Sequence, residues 1–272
     1  MSKFVYFGTP WVASETLAIL LEHGYRPELV VTSPDAPRGR GLVLTPSPTK
    51  AIAEAQDIPV LTPERLDEAT IRTIADAGCE VGVCVAYGKI FPEVLIDSFP
   101  KGVLNIHYSL LPKYRGATPL EGALLGGEVI TGVTIQKMVR ALDAGDIIAQ
   151  REIPIEAHDT AKDLRPRLIA LGADLLIETL PAYLEGAITP MPQNESHASH
   201  SGKFKKADGE ISLSAGAEEN WRKYRAYNDS IGTFFFKDGV RHKITRASFA
   251  KGVFTIERVI PEGKPEQDFV IH

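Results

Sequence analysis

The chain has 272 residues, of which 44% are hydrophobic and 24% are charged, a composition typical of a soluble globular protein with one large or two modest domains. The opening apolar run is too brief for a signal peptide, and no run approaches the roughly 20 residues that span a bilayer. The spacing of Cys79 and Cys84 matches no zinc or redox motif. We therefore expect a cytoplasmic protein with no membrane partner and no bound metal.

The net charge of −5 is unevenly distributed, because residues 1–200 carry −8 and residues 201–272 carry +3. A basic C-terminal part on an acidic body indicates a polyanionic partner. A net charge of only +3 in residues 201–272 is also compatible with a protein that has no polyanionic partner. The charge alone therefore does not decide whether such a partner exists.

Short apolar runs alternate with helical patterns in the first 150 residues. We predict strands at residues 4–7, 29–31, 59–61, 81–85 and 103–107, and helices at 14–24, 48–56 and 69–77. This alternation predicts an α/β fold with a mostly parallel sheet covered by helices on both faces. Residues 132–138 and 147–153 then alternate like the strands of a hairpin, and a long helix is predicted over 160–180.

The composition changes after that helix. Residues 190–202 have little to bury and resemble a linker. Beyond them we predict a short helix at 220–228 and a hairpin at 233–244 with Asp238-Gly239 as its turn. The predicted organisation is a catalytic domain at 1–189, a linker at 190–206 and a small, mostly β domain at 207–272.

Three polar residues form a candidate catalytic set. Asn105 and His107 are two positions apart on a predicted strand, so their side chains leave the same face of the sheet. Asp143 lies in an acidic turn that can bring a carboxylate to the imidazole. An amide donor, an imidazole and a carboxylate suit acyl transfer to an amine, because they can stabilise an oxyanion, relay a proton and orient the imidazole. A chance Asn-x-His near an unrelated acidic turn is the alternative.

Other chemistries have weaker support. The first strand ends in Gly8-Thr9-Pro10, which is not the glycine-rich dinucleotide motif, and Pro10 lacks the N–H that a phosphate would use. No nucleophile-elbow pattern and no metal-ligand spacing are present in the sequence.

The segment from Asn105 to Pro119, which contains Ser109-Leu110-Leu111-Pro112, resembles the signature of the 10-formyltetrahydrofolate-dependent formyltransferases. The segments 86–90, 132–135 and 142–146 also resemble that family, and the similarity covers about residues 1–190. It implies a Rossmann-like formyltransferase domain, 10-formyltetrahydrofolate as formyl donor and catalytic roles for Asn105, His107 and Asp143. The folate-binding residues that the resemblance implies are Ser109, Leu110, Leu111, Pro112, Tyr87, Gly88, Ile90, Ala141 and Asp146.

Within that superfamily the resemblance is greatest to the methionyl-tRNA formyltransferases. It is carried by residues 7–10, by the loop 33–50 and by the segment 202–211, which resembles the entry to an OB-like second domain. The resemblance implies a monomer that acts on initiator methionyl-tRNA in translation initiation. Its implied tRNA-binding residues are Arg38, Arg40, Lys203, Lys205 and Lys206.

Two segments differ from that family. Leu42-Val43-Leu44 stand where lysines are usual, and residues 228–231 stand where a Pro-Trp-Pro run is common. We therefore predict a less basic loop and a reduced OB-like domain, and the sequence leaves open whether its barrel is complete.

The alternatives are a sugar N-formyltransferase acting on a nucleotide-linked amino sugar and a non-catalytic RNA- or folate-binding protein. A glycinamide ribonucleotide formyltransferase is disfavoured because such enzymes lack the second domain. The loop at 33–48 argues against a sugar substrate, and the set Asn105, His107 and Asp143 argues against pure binding.

Overall fold

The computed structural model describes residues 3–39 and 41–271, with the side chains of Arg38, Val270 and Ile271 left aside. The strands are β1 Phe4–Gly8, β2 Leu29–Val31, β3 Ala36–Arg38, β4 Val43–Thr45, β5 Val60–Leu61, β6 Val81–Val85, β7 Val103–His107, β8 Arg115–Gly116, β9 Ile130–Lys137, β10 Ile147–Pro154, β11 His200–Ser201, β12 Thr233–Lys237, β13 Val240–Ala250, β14 Val253–Pro261 and β15 Gln267–Ile271. The α-helices are α1 Trp11–Glu22, α2 Pro48–Ala55, α3 Glu68–Ala75, α4 Glu93–Asp97, α5 Pro119–Gly126, α6 Ala161–Leu184 and α7 Ala217–Tyr227.

A seven-stranded sheet with the order β10-β9-β7-β6-β1-β2-β5 forms the centre of the fold. The five neighbouring strands β5, β2, β1, β6 and β7 are parallel, and β9 runs antiparallel to β7. The predicted α/β fold with a mostly parallel sheet is therefore confirmed, and it is Rossmann-like. The two segments predicted as a hairpin are the neighbouring strands β9 and β10.

Local sequence explains why these elements begin and pack where they do. Ser47 accepts a hydrogen bond from the Lys50 N–H at 3.0 Å and caps α2, while Asp67 caps α3 in the same way. Strands β1 and β6 are buried at every position, as their continuous apolar runs predict for a sheet covered on both faces. Phe7 packs edge-on against the rings of Phe91 and Tyr87, at centroid distances of 5.0 and 5.8 Å.

The described chain forms two compact units. The first consists of residues 1–112, 132–151 and 168–197, and the second of 113–131, 152–167 and 198–272. The second unit thus includes two segments from within the predicted catalytic domain. The domain boundaries predicted at residues 189 and 206 stay a prediction.

The second unit contains a four-stranded antiparallel sheet with the order β12-β13-β14-β15. Asp238 and Gly239 have φ values of 51° and 75°, so the predicted Asp-Gly turn joins β12 to β13 with the left-handed conformations that a tight hairpin requires. The indole of Trp221 on α7 stacks on the ring of Phe249 at a centroid distance of 6.0 Å. The small, mostly β part is confirmed, and its sheet has one strand fewer than the five-stranded OB fold within residues 198–271.

The segment predicted as a solvated linker is more ordered than its composition indicates. It contains a 3₁₀ turn at Glu195–His197 and the strand β11, which pairs in parallel with β8. Gly116 makes this pairing possible, because a Cβ at that position would lie 2.2 Å from the Ser201 carbonyl oxygen. Backbone pairing leaves little trace in composition, so this local order could not be predicted from the residue types alone.

Candidate active site

Strand β7 places Asn105 and His107 on one face of the central sheet. Asn105 is half-buried, whereas the side chain of His107 is only 5% exposed. On the neighbouring strand β9, Gln136 pairs with Asn105 and Thr134 pairs with His107. Directly paired residues of antiparallel strands project from the same face, so four polar side chains converge here.

Asp143 approaches this face from the loop between β9 and β10. Its Oδ2 lies 3.6 Å from His107 Nδ1, which is an ion-pair distance and longer than a hydrogen bond. Its Oδ1 accepts a hydrogen bond of 2.8 Å from Gln136 Nε2. The structure therefore brings the three predicted catalytic residues together, with the carboxylate between an imidazole and an amide.

The backbone of the Asp143 loop is held in an uncommon conformation. Asp143 has a φ of 50°, which non-glycine residues adopt at an energetic cost. Gln193 Nε2 donates to the carbonyl oxygens of Asp143 and Gly145, at 2.8 and 2.7 Å. A Cβ on Gly145 would lie 1.7 Å from the Lys137 carbonyl oxygen, so only glycine allows this close approach.

The site influences the ionisation of a buried thiol beside it. Burial is the main cause that raises the pKa of Cys84 to about 12; a backbone hydrogen bond from Tyr87 opposes this shift, and the negative charge of Asp143 contributes to it. The thiol consequently stays neutral at physiological pH. Burial likewise raises the pKa of the Tyr87 hydroxyl to about 12.

The turn at residues 109–112 follows β7 and is tied to β9 by one buried hydroxyl. Thr134 Oγ1 donates to the Ser109 carbonyl at 2.7 Å and accepts the Leu111 N–H at 3.1 Å. Gln150 Nε2 donates to the Leu111 carbonyl and to Thr134 Oγ1, at 2.8 and 2.9 Å. The Leu111–Pro112 peptide bond is cis. Ser109 and Leu111 are buried, and Leu110 and Pro112 are half-buried.

The other predicted folate residues have varied surroundings. Tyr87 is buried, Asp146 is half-buried, and Gly88 and Ala141 are exposed. Ile90 is 91% exposed. The Asp146 carbonyl accepts the Lys137 N–H at 2.9 Å and thereby closes the Asp143 loop. Their folate contacts stay a prediction.

The predicted tRNA residues differ in how far the structure describes them. Arg38 belongs to β3, of which only the backbone is described at this position, and Arg40 lies outside the described residues. Strand β3 pairs with β4 in an antiparallel ribbon. The apolar residues Leu42, Val43 and Leu44, at the start of β4 and just before it, are 72%, 65% and 65% exposed. Lys203, Lys205 and Lys206 are exposed in the second unit.

Sequence reasoning missed Gln136, Thr134 and Gln193. The signal for the first two is an alternation in β9, where Thr134 and Gln136 are polar while Val133 and Ile135 are apolar. All four are buried, so a polar second face of β9 indicates a site and not a solvated surface. Gln193 had no comparable signal, because it lies in the presumed linker.

Residues 3–39 and 41–271 include no group of three or more His, Cys, Asp or Glu side chains that could hold a metal ion. Within the same residues, no helix is long and apolar enough to cross a membrane.

Comparisons with known proteins identify the class of protein. The family model described as formyl transferase matches residues 3–180, so this part of the chain is a formyl transferase domain. Methionyl-tRNA formyltransferase of Heliobacterium modesticaldum is 41% identical over 244 residues, covering 90% of this chain and 77% of the relative. The chain belongs to the methionyl-tRNA formyltransferase family.

Solved structures share the fold at lower identity. Methionyl-tRNA formyltransferase from Clostridium thermocellum matches with a TM-score of 0.63 and 16% identity, covering 100% of this chain and 99% of that one. The N-formyltransferase from Helicobacter canadensis, solved in complex with folinic acid and dTDP-3-aminofucose, matches with a TM-score of 0.67 and 21% identity, covering 94% and 95%. At these identities the likeness concerns the fold alone.

Proposed function

We propose that the protein transfers the formyl group of 10-formyltetrahydrofolate to the α-amine of methionine on initiator tRNA, in the cytoplasm and as a monomer. The observation that carries this proposal is the convergence of Asn105, His107 and Asp143 on one face of the sheet. Identity of 41% to a methionyl-tRNA formyltransferase across 90% of the chain supports the choice of acceptor.

In the proposed reaction, the unprotonated amine attacks the formyl carbon. A new C–N bond forms, and the carbonyl electron pair moves onto oxygen to give a tetrahedral oxyanion. The Asn105 amide and the His107 imidazole donate hydrogen bonds to that oxygen, where charge develops in the transition state. The bond from the formyl carbon to N10 then breaks, and the proton that the amine loses passes to N10, directly or by relay.

Asp143 has two roles in this scheme. Its Oδ2, 3.6 Å from His107 Nδ1, orients the imidazole and favours its protonated form. The distance is expected to shorten when the reactants bind, because catalytic hydrogen bonds are often long in the empty site. No metal is needed for these steps, since the side chains supply both the oxyanion donors and the proton relay.

The folate is proposed to bind beside the turn at residues 109–112. That turn leaves β7 directly after His107 and is anchored through the buried Thr134 hydroxyl. A rigid turn there would present the formyl group to Asn105 and His107. Phosphates of the tRNA are proposed to contact Arg38, Arg40 and the exposed Lys203, Lys205 and Lys206.

A nucleotide-linked amino sugar is the second candidate acceptor. A loop with Leu42, Val43 and Leu44 exposed in place of lysines favours it. Identity of 41% to a methionyl-tRNA formyltransferase over 90% of the chain supports the tRNA acceptor more strongly.

An acceptor comparison tests the proposal. The purified protein is incubated with formyl-labelled 10-formyltetrahydrofolate and either charged initiator tRNA or a panel of nucleotide amino sugars, with uncharged tRNA as the matched control. We expect label on charged initiator tRNA alone. Label on a sugar alone would refute the tRNA acceptor, and label on no acceptor would indicate a binding protein.

A further inference from the structure

Gln136 is a buried polar residue in direct contact with the proposed catalytic carboxylate. Its side chain is 1% exposed, and its Nε2 lies 2.8 Å from Asp143 Oδ1. An ionised carboxylate can only accept hydrogen bonds, so the amide must present its NH₂ group to Asp143. The other carboxylate oxygen, Oδ2, is the one that faces His107. The carboxylate therefore lies between the Gln136 amide, which donates to it, and the His107 imidazole.

The register of the sheet shows where this donor is anchored. Gln136 on β9 is paired with Asn105 on β7, and Asn105 is paired on its other side with Cys84 on β6. The amide therefore projects from the same rigid strands that carry the oxyanion donors. Asp143 itself lies on a loop with a φ of 50°, and a loop alone fixes a side chain less well than a sheet does.

The presence of Gln136 also has a stability cost. Within the described residues, its Oε1 is buried without a hydrogen-bond partner, a situation that destabilises a folded protein. An apolar side chain of similar length would avoid that cost. The amide in this buried strand therefore points to a use for the donor rather than to packing.

We infer that Gln136 is a positioning residue, which holds Asp143 Oδ1 so that Oδ2 faces the His107 imidazole. The inference rests on the proposed formyl transfer. The role differs from that of Gln193, which binds the backbone carbonyls of Asp143 and Gly145 and so holds the loop. Gln136 acts on the carboxylate alone.

The test compares Q136M with the wild type. Methionine has similar length but no donor, so we expect kcat to fall about tenfold or more, with unchanged KM values for folate and tRNA. The midpoint of thermal unfolding should change little, because removal of the orphaned Oε1 opposes the loss of the hydrogen bond. Q56M, at the exposed end of α2, is the matched control and should behave like the wild type.

The pH profile of Q136E provides a readout that a merely structural role would not change. Two adjacent buried carboxyl groups share a proton, and a protonated Glu donates to Asp143 as the amide does. When that proton is lost, the two charges repel each other. The ratio of kcat for Q136E to kcat for the wild type should therefore fall as pH rises.

The outcomes separate the two proposals. Wild-type kcat in Q136M, or a Q136E ratio that does not vary with pH, would overturn the positioning role while leaving the formyl transfer intact. A parallel loss of kcat and thermal stability in Q136M would also overturn it in favour of a structural role. A wild type that formylates no acceptor would overturn both.

Discussion

Substitution of Thr134 by valine probes how the fold holds the turn proposed to bind folate. The Thr134 side chain is fully buried, and its hydroxyl takes part in hydrogen bonds to the Ser109 carbonyl, the Leu111 N–H and Gln150 Nε2. Valine has nearly the same shape but can make none of them. The substitution therefore removes polar contacts without creating a cavity.

The expected magnitude follows from these three contacts. A hydrogen bond within a folded protein contributes about 0.5–1.5 kcal/mol net, so loss of the three should lower the free energy of unfolding of T134V by about 1.5–4.5 kcal/mol. T134S is the matched control, because it keeps the hydroxyl and lacks one methyl group, for a loss of about 1 kcal/mol. The KM for 10-formyltetrahydrofolate should rise in T134V and stay near the wild-type value in T134S.

Urea unfolding of the three proteins, followed by circular dichroism, measures the stability difference, and steady-state kinetics measures KM. The reasoning is refuted if T134V is as stable as T134S, because the hydroxyl would then contribute nothing to the turn. If T134V is less stable than T134S but the two variants have the same KM, the hydroxyl stabilises the turn and the turn does not contribute to folate binding.

Two further predictions concern the thiols and the tRNA surface. Burial raises the pKa of Cys79 to about 11 and that of Cys84 to about 12, so neither forms thiolate at neutral pH. A disulfide reagent should therefore label both thiols only after denaturation, when their pKa returns to about 8.5. Rapid labelling of the native protein would contradict this prediction. Formylation of tRNA should slow steeply with added salt, and replacement of Lys205 and Lys206 by alanine should make the log–log slope shallower by about 1 per lysine; an unchanged slope would remove these residues from the tRNA site.

The fold could be predicted because its strands are unusual in sequence. Strands β1 and β6 are continuous apolar runs, which report burial on both faces whatever the tertiary context. The Asp238-Gly239 turn was equally clear, because few residues adopt positive φ at two successive positions. The short strands β8 and β11 were not predicted, since two-residue pairings depend on partners 85 positions apart (His200 with Arg115) and not on local pattern.

The polar residues of the candidate site could be predicted for a different reason. Two polar residues with alternate spacing on a buried strand require an explanation, and Asn105 and His107 have that spacing. The contact of Gln136 with Asp143 could not be foreseen, because it depends on the register between β7 and β9. Gln193 contacts the Asp143 loop although the two residues are 50 positions apart. The composition of the segment around Gln193 did not indicate that it folds back onto this loop.

The rate of a single turnover on charged initiator tRNA tests the central claim most directly. The protein, saturated with 10-formyltetrahydrofolate, is mixed with tRNA in rapid-quench experiments on the wild type and on D143A. We expect the rate constant for formyl transfer to fall by about 100-fold or more in D143A, with folate affinity and thermal stability close to those of the wild type. A D143A protein that transfers the formyl group at the wild-type rate would contradict the assignment of Asn105, His107 and Asp143 as the catalytic centre.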